Sequence, residues 1–319
     1  MNRTRRTVIG FAAVLAIAGS ISLASAFPKK SIEYVIPFGP GGESDIAARL
    51  QQSFFKSKFN EDLVISYKPG AGGATAWSEL NTLPADGYTI MGVNLPHIIL
   101  QPAQGAPGYE TNDINPVYWF HYTPDALVVK AASPFQTLND LVQYAKENPG
   151  KLTFSGSGKA TANHLAHLLF NKMAGIQTSY VAFKGTGASN TALLGDQVEA
   201  SWGYTTSAAA IGKEARILAI ATETRHPRFP DTPTFKELGF DIVSGAYRGI
   251  AVPKATPEAI KKKLSDMIGQ INADPEFRKR MADGGFAMVD IPLDKNAAFM
   301  KKNSEEFLAA AKEAGILKH

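Results

Sequence analysis

The chain has 319 residues, with 33 Lys and Arg against 29 Asp and Glu and no cysteine at all. The missing cysteine excludes disulfides, thiolate metal sites and a Cys nucleophile. Three of the basic residues, Arg3, Arg5 and Arg6, sit in the first few positions. Without them 30 basic residues face 29 acidic ones, and no basic stripe with interleaved aromatics asks for a nucleic-acid partner.

Residues 1–26 have the pattern of a secretory signal. The three arginines form a positive start, Val8 to Ile17 is an apolar run too short to span a bilayer comfortably, and Ala24-Ser25-Ala26 supplies a small-x-small cleavage pattern. "TRRTVI" is only a loose match to a twin-arginine signal, so an ordinary export signal is the expectation. No Cys follows the leader to carry a lipid, and no second apolar segment reaches membrane-spanning length. In a bacterial cell that combination points to the periplasm.

Beyond the leader, short β-rich runs alternate with amphipathic helical stretches, which predicts an α/β protein. "SIEYVIPF" reads as a strand and "SDIAARLQQSFFKSKF" as the following helix, with Ser44 or Asp45 as its N-cap. "DLVISYKP" is a second strand, "GGATAWSELNTL" a second helix stopped by "PADGY", and "YTIMGVN" a third strand. This βαβαβ order favours parallel strands with right-handed crossovers. The pattern restarts after "INPVYWFHYTPDALVVK", with helices at "LNDLVQYAKENPG", "ANHLAHLLFNKMAG" and "SNTALLGD" and strands at "LTFSGSG", "QTSYVAFKG", "VEASWGY" and "ARILAIAT". "DIVSGAYRGIAVP" follows a proline-rich segment, and two tail helices, "TPEAIKKKLSDMIGQIN" and "PLDKNAAFMKKNSEEFLAAAKEAG", have no strands of their own to cover. Two α/β units in tandem are therefore predicted. The chain would cross between them near 120–128 and 243–252, and a ligand cleft would lie between the lobes. The expected division is 27–122 plus 246–319 for the first lobe and 123–245 for the second.

Three glycine-rich turns, "FGPGGESD", "PGAGGAT" and "SGSGKATAN", each lie between a strand and a helix. Backbone N–H groups at a helix N-terminus attract an anion without help from lysine. Any single such turn can equally be only a tight connection. None has the P-loop spacing G-x-x-x-x-G-K-[ST] or the dinucleotide spacing G-x-G-x-x-G. The six histidines form no H-E-x-x-H motif, no carboxylate cluster completes a metal site, and no G-x-S-x-G elbow appears. No metal and no cofactor is expected. His164 reads as a capping or packing residue, Trp77, Trp202 and Met173 as core, and "KKK" at 261–263 as a solvated helix face. Tyr204 closes its strand and is a cleft candidate. Lys184 and Arg248 are the two cations at strand ends near the cleft, each equally able to be a surface charge.

Taken together, "PFGPGGESDIAAR", "KPGAGGATA", "PADGYTI", "SGSGKATANHLA", "KGTGASNTALLGDQV" and "RHPRFPDTPTFKELGF" resemble, in this order, the periplasmic receptors of tripartite tricarboxylate transporters, the Bug receptors. The resemblance covers residues 31 to 317. It implies a two-lobe periplasmic binding protein of the Venus-flytrap, type II-like class, non-enzymatic and monomeric, that hands a small carboxylate to integral membrane transporter subunits. It implies one wall from Phe38, Gly41, Gly42, Ser44 and Asp45, with Ala71, Gly72 and Gly73 beside them. Asn94 and His97 would add to this wall, and Ser155, Ser157, Asn163, Lys184, Gly185, Thr186 and Tyr204 would close from the other lobe. Family ligands include dicarboxylates, tricarboxylates, amino acids and aromatic acids. This chain departs from many relatives in "WGY" at 202–204, in Tyr247 and in His97, changes that suit an aromatic or longer carboxylate through stacking plus one hydrogen bond. The acid Glu43, beside the proposed anion loop, is expected to face solvent, leaving neutral donors to hold the ligand. A secreted hydrolase using Ser157 and a receptor presenting its ligand to a membrane kinase are the competing functions.

Overall fold

The computed structural model describes residues 27–105 and 107–317. The predicted export signal and His319 lie outside the described residues.

In chain order the elements are β1 (Ile32–Ile36), α1 (Glu43–Phe59), β2 (Leu63–Tyr67), α2 (Ala74–Trp77), β3 (Thr89–Leu95), α3 (His97–Gln104) and β4 (Asn115–Lys130). Then come α4 (Leu138–Glu147), β5 (Thr153–Gly156), α5 (Ala162–Ala174), β6 (Ser179–Ala182), α6 (Thr186–Leu194), β7 (Ala200–Tyr204), α7 (Thr205–Ile211) and β8 (Ala215–Ile220). The chain ends with β9 (Gly245–Val252), α8 (Glu258–Asn272), α9 (Pro275–Asp283), β10 (Ala287–Pro292) and α10 (Leu293–Glu313).

The strands run in the order β2-β1-β3-β9-β4-β7-β5-β6, with β8 and β10 also paired to β4. β1 lies parallel to β2 and β3, and β5 parallel to β6 and β7. β4 and β9 run antiparallel to their neighbours. β4 is the member common to both halves. Its first part pairs with β9 and β10, its last part with β7 and β8. Separate apolar cores build up on the two sides. Tyr34, Phe55, Trp77, Trp119 and Ile268 belong to one, and Phe154, Phe170, Trp202 and Phe235 to the other. A single strand shared by two cores is what a two-lobe α/β binding protein needs, because it joins the lobes while leaving a gap between them.

Several sequence expectations change here. α1 starts one residue earlier than predicted, at Glu43, with Gly42 as its N-cap and no side-chain cap from Ser44 or Asp45. Acids in its first turn, lysines in its last and Asn60 in the left-handed conformation fit the polarity of a helix dipole. The predicted second helix is broken into a 3-10 turn at Ala71–Gly73, the single turn α2 and another 3-10 turn at Leu80–Thr82. Two consecutive glycines of positive φ, Gly72 and Gly73, prevent a longer helix from starting there. The sequence pattern predicts neither α3 nor α7, and the tail holds three helices and β10 rather than two helices. Met173 is exposed, and Lys261 is buried, its ammonium donating to Lys254 O at 3.2 Å and pairing with Glu258 at 2.7 Å. No helix among the described residues is long and apolar enough to cross a membrane.

Candidate functional site

The first glycine loop runs from the end of β1 into α1 and is shaped from behind by Asp45. Gly41, at φ +74°, donates its N–H to Asp45 Oδ2 at 2.8 Å. The other carboxylate oxygen accepts from Arg49 Nε at 2.8 Å and from the Tyr67 hydroxyl at 2.7 Å. Asp45 therefore positions the loop and turns its carboxylate away from the cleft. The N–H groups of Gly42, Ser44 and Asp45 make no hydrogen bond among the described residues. They are the unpaired donors expected at a helix N-terminus.

Across the cleft, the start of α6 meets this loop directly. Gly39 N–H donates to Lys184 O at 2.9 Å, and Glu43 N–H to Thr186 Oγ1 at 3.0 Å. A Cβ on Gly42 would lie 2.8 Å from Thr186 Oγ1, and one on Gly187 would lie 2.5 Å from Pro40 O. The two lobes touch here closely enough that only glycine fits on either side. Thr186 supplies from the opposite lobe the cap that Ser44 and Asp45 do not provide.

The floor comes from the sheet. Antiparallel register sets Arg248 of β9 opposite Asn94 of β3 and, on its other flank, opposite His121 of β4. Paired residues share a face, so all three side chains stand on the same side. Arg248 is buried. Its Nη2 pairs with Glu43 Oε2, its Nε donates at 2.7 Å to the Asn94 amide oxygen when that amide is turned toward it, and its guanidinium lies 4.8 Å over the Tyr204 ring. The other Glu43 oxygen accepts from the Thr123 hydroxyl, with His121 Nδ1 3.8 Å away.

Glu43 thus faces the interior rather than solvent, and the site is not built from neutral donors alone. Both expectations fail for one reason: Arg248, remote in sequence, offers the acid a buried partner. Burial raises the Glu43 pKa, opposed by Arg248 and by the Thr123 hydrogen bond. Burial works against the Arg248 charge, yet Glu43 and the other anionic or potentially anionic groups nearby carry its pKa above the usual value. His97 and His121 are held well below the ordinary histidine range by burial, with the Arg248 charge adding to it, so both rings are neutral.

Phe38, Gly42, Ser44, Asn94, His97, Ser157, Thr186 and Tyr204, all anticipated from sequence, line one inner cavity together with Glu43 and Arg248. It leaves about 10 Å³ for a water-sized sphere, roughly one water. Three buried polar atoms around it have no hydrogen-bond partner within 3.5 Å, Arg248 Nη1, the Tyr204 hydroxyl and His97 Nδ1, although Arg248 and the Tyr204 hydroxyl are close enough to interact at longer range. Phe38 packs edge-on against both His97 and Trp77.

Other anticipated residues stand apart from this cavity. Ala71, Gly72 and Lys184 line a second, open interlobe groove of about 790 Å³, together with Lys159 and Gln101. The exposed side chain of Lys184 belongs to that groove. Gly73 lies under the Trp77 ring. Gly185 packs against Phe38, where an added Cβ would come within 3.1 Å of Phe38 Cβ. Asn163 stands behind Ser157, accepting its hydroxyl at 2.6 Å and donating to Asp125 Oδ1 at 2.8 Å. Ser155 is bonded to Ser189 at 2.8 Å. Among the described residues no group of three or more potential ligating side chains forms a metal site, and no serine hydroxyl bonds a histidine.

Sequence reasoning undervalued Glu43 and Arg248 and passed over His121. A signal was available for Arg248, since one cation inside the apolar strand "GAYRGIAV" must find a partner when buried. None was available for His121, whose neighbours in sequence are aromatic.

The comparisons with known proteins agree with this architecture. A family model described as "Tripartite tricarboxylate transporter family receptor" matches residues 47–316. A Cupriavidus necator protein described as a UPF0065 protein in the gbd 5' region is 30% identical, over 98% of this chain and 99% of its own length. The solved structure of the periplasmic binding protein BugD is 26% identical, with a TM-score of 0.85 over 92% of this chain and all of that one. An R. palustris protein solved with adipate shares the fold at 23% identity, with a TM-score of 0.84 over 91% of this chain and 98% of its own.

Proposed function

This chain belongs to the tripartite tricarboxylate transporter family of receptors, and on that footing we propose that it is a periplasmic solute receptor. It binds one small organic carboxylate between its lobes, without chemical turnover, and delivers it to a tripartite tricarboxylate-type membrane transporter. The division into 27–122 plus 246–319 and 123–245, joined through β4 and the entry to β9, is part of this reading.

One observation carries the proposal. Unpaired N–H groups at the start of α1 and the unpaired Arg248 Nη1, Tyr204 hydroxyl and His97 Nδ1 converge on one buried cavity. Buried polar groups are nearly always satisfied, and a set dominated by donors at a helix N-terminus is completed by an anion. Tyr204 and Phe38 offer apolar surface for an aromatic or longer ligand body. Closure would desolvate the carboxylate and strengthen each of these contacts. The hydrolase alternative loses ground because the Ser157 hydroxyl is spent on the Asn163 amide oxygen, with no base beside it.

Calorimetry with a panel of aliphatic and aromatic carboxylates, followed by recovery of the ligand, tests the reading. The expected result is one-to-one binding with the acid recovered unchanged. Conversion of the acid would establish an enzyme instead, and binding of none of the panel would end the carboxylate reading.

A further inference from the structure

The pairing of Glu43 with Arg248 has a consequence for the charge of the ligand. Arg248 is the lone cation lining the inner cavity among the described residues, and Glu43, lining the same cavity, already neutralises it. Lys159 and Lys184 line the separate outer groove. The inner cavity is therefore formally neutral, carrying one positive and one negative side chain plus the partial positive end of α1. Each Glu43 oxygen already holds a partner, one Arg248 and the other Thr123. The atoms left unpaired include the Arg248 Nη1 donor and the Tyr204 hydroxyl, and no carboxylate oxygen is among them.

Resting on the carboxylate reading above, we propose that the Glu43–Arg248 pair makes this a receptor for monoanions. It takes one carboxylate on an otherwise uncharged body and discriminates against dianions and zwitterions. A single carboxylate uses the helix-end N–H groups and Arg248 Nη1. A second carboxylate enters a buried space that already holds Glu43 and has no further cation, so like charges are brought together in a low dielectric. A ligand ammonium finds no free anionic partner, because both Glu43 oxygens are engaged and its charge is already offset by Arg248.

The test keeps the linear or aromatic body of each ligand and varies the charge at its far end. Ligand-free protein is titrated calorimetrically at neutral pH with hexanoate, adipate and 6-aminohexanoate, and in parallel with benzoate, terephthalate and 4-(aminomethyl)benzoate. The monoanion of the series that binds is expected to be tighter than its dianion and its zwitterion by at least about tenfold. Glu43→Gln, which frees the Arg248 charge, is expected to close most of the gap between monoanion and dianion. Glu43→Ala provides the same comparison should the Gln variant not fold, and the wild-type ranking stands without either. A dianion or zwitterion binding wild type as tightly as the monoanion overturns charge selection while leaving the carboxylate receptor intact. An unchanged ratio in the Glu43 variants overturns the role of the pair. If none of the six acids binds, the proposed function falls and this inference with it.

Discussion

The two glycine loops of the first lobe, residues 37–45 and 69–75, are close in composition and both follow a strand, yet they have become different objects. The first opens the 17-residue helix α1, leaves the N–H groups of Gly42 and Ser44 unpaired beside the inner cavity and carries Glu43 onto Arg248. The second opens only the four-residue α2, is wedged beneath the Trp77 ring at Gly73 and faces the outer groove. A helix of one turn has little dipole to offer an anion. Glycine marks a loop that must run close to something. What stands close by, a cavity lined by unpaired polar atoms or a tryptophan, decides whether the loop can bind.

The sharpest way to break this contrast is to remove the charge partner of the first loop. Arg248→Ala leaves Glu43 buried without its cation, which costs about 3–5 kcal/mol, and it deletes an unpaired donor from the cavity. Urea denaturation should show that loss, and ligand binding should disappear. Next in size is Gly42→Val. Its Cβ would fall 2.8 Å from Thr186 Oγ1, blocking approach of the lobes, so affinity should drop by about a hundredfold, or about 2.7 kcal/mol, with the melting temperature little changed. Gly73→Ala should do the reverse. A side chain at φ +105° against the Trp77 ring costs about 1–3 kcal/mol of stability, while calorimetric affinity stays within about threefold of wild type. Comparable affinity losses in both glycine variants would erase the distinction between the loops.

The smallest effect concerns pH. Asp125, on the strand shared by the lobes, has its pKa raised to about 7 by burial, opposed by hydrogen bonds from Ser244 and Asn163 and by the Arg248 charge, with Glu43 adding to the rise. The native carboxyl therefore holds its proton where the unfolded chain, near pKa 4, has released it. Its contribution to stability is fully present below about pH 4 and is lost as pH rises toward about 7. Asp125→Asn removes that titration, so the melting temperature of wild type relative to the variant should fall as pH increases across this window. A constant difference between the two proteins would show that Asp125 does not titrate there.

Much of this was legible in the sequence, and the failures have a common cause. The β1–α1 turn and the core role of Trp77 and Trp202 follow from local periodicity and the cleft position of Tyr204 from its strand end, whereas Phe38 and His97 are pointed to only by the family resemblance. Glu43 was misjudged because an acid inside a glycine turn looks solvated until its partner is known, and that partner lies 205 residues away. The pairing depends on the antiparallel register of β3, β9 and β4, which local pattern does not encode. α2 was overestimated because apolar spacing in "ATAWSEL" suggests a helix that Gly72 and Gly73 do not allow to begin. Asp45 and Asn163 were placed among ligand contacts because the motifs that contain them mark the site. In the fold they hold Gly41 and Ser157 from behind.

The claim that the interlobe cavity holds a carboxylate is tested most directly by native mass spectrometry of the protein purified from its host. The account predicts one small carboxylic acid per chain, released on denaturation and missing from Arg248→Ala and Gly42→Val. A cationic or neutral molecule in the wild type, or the same acid retained in both variants, would contradict it.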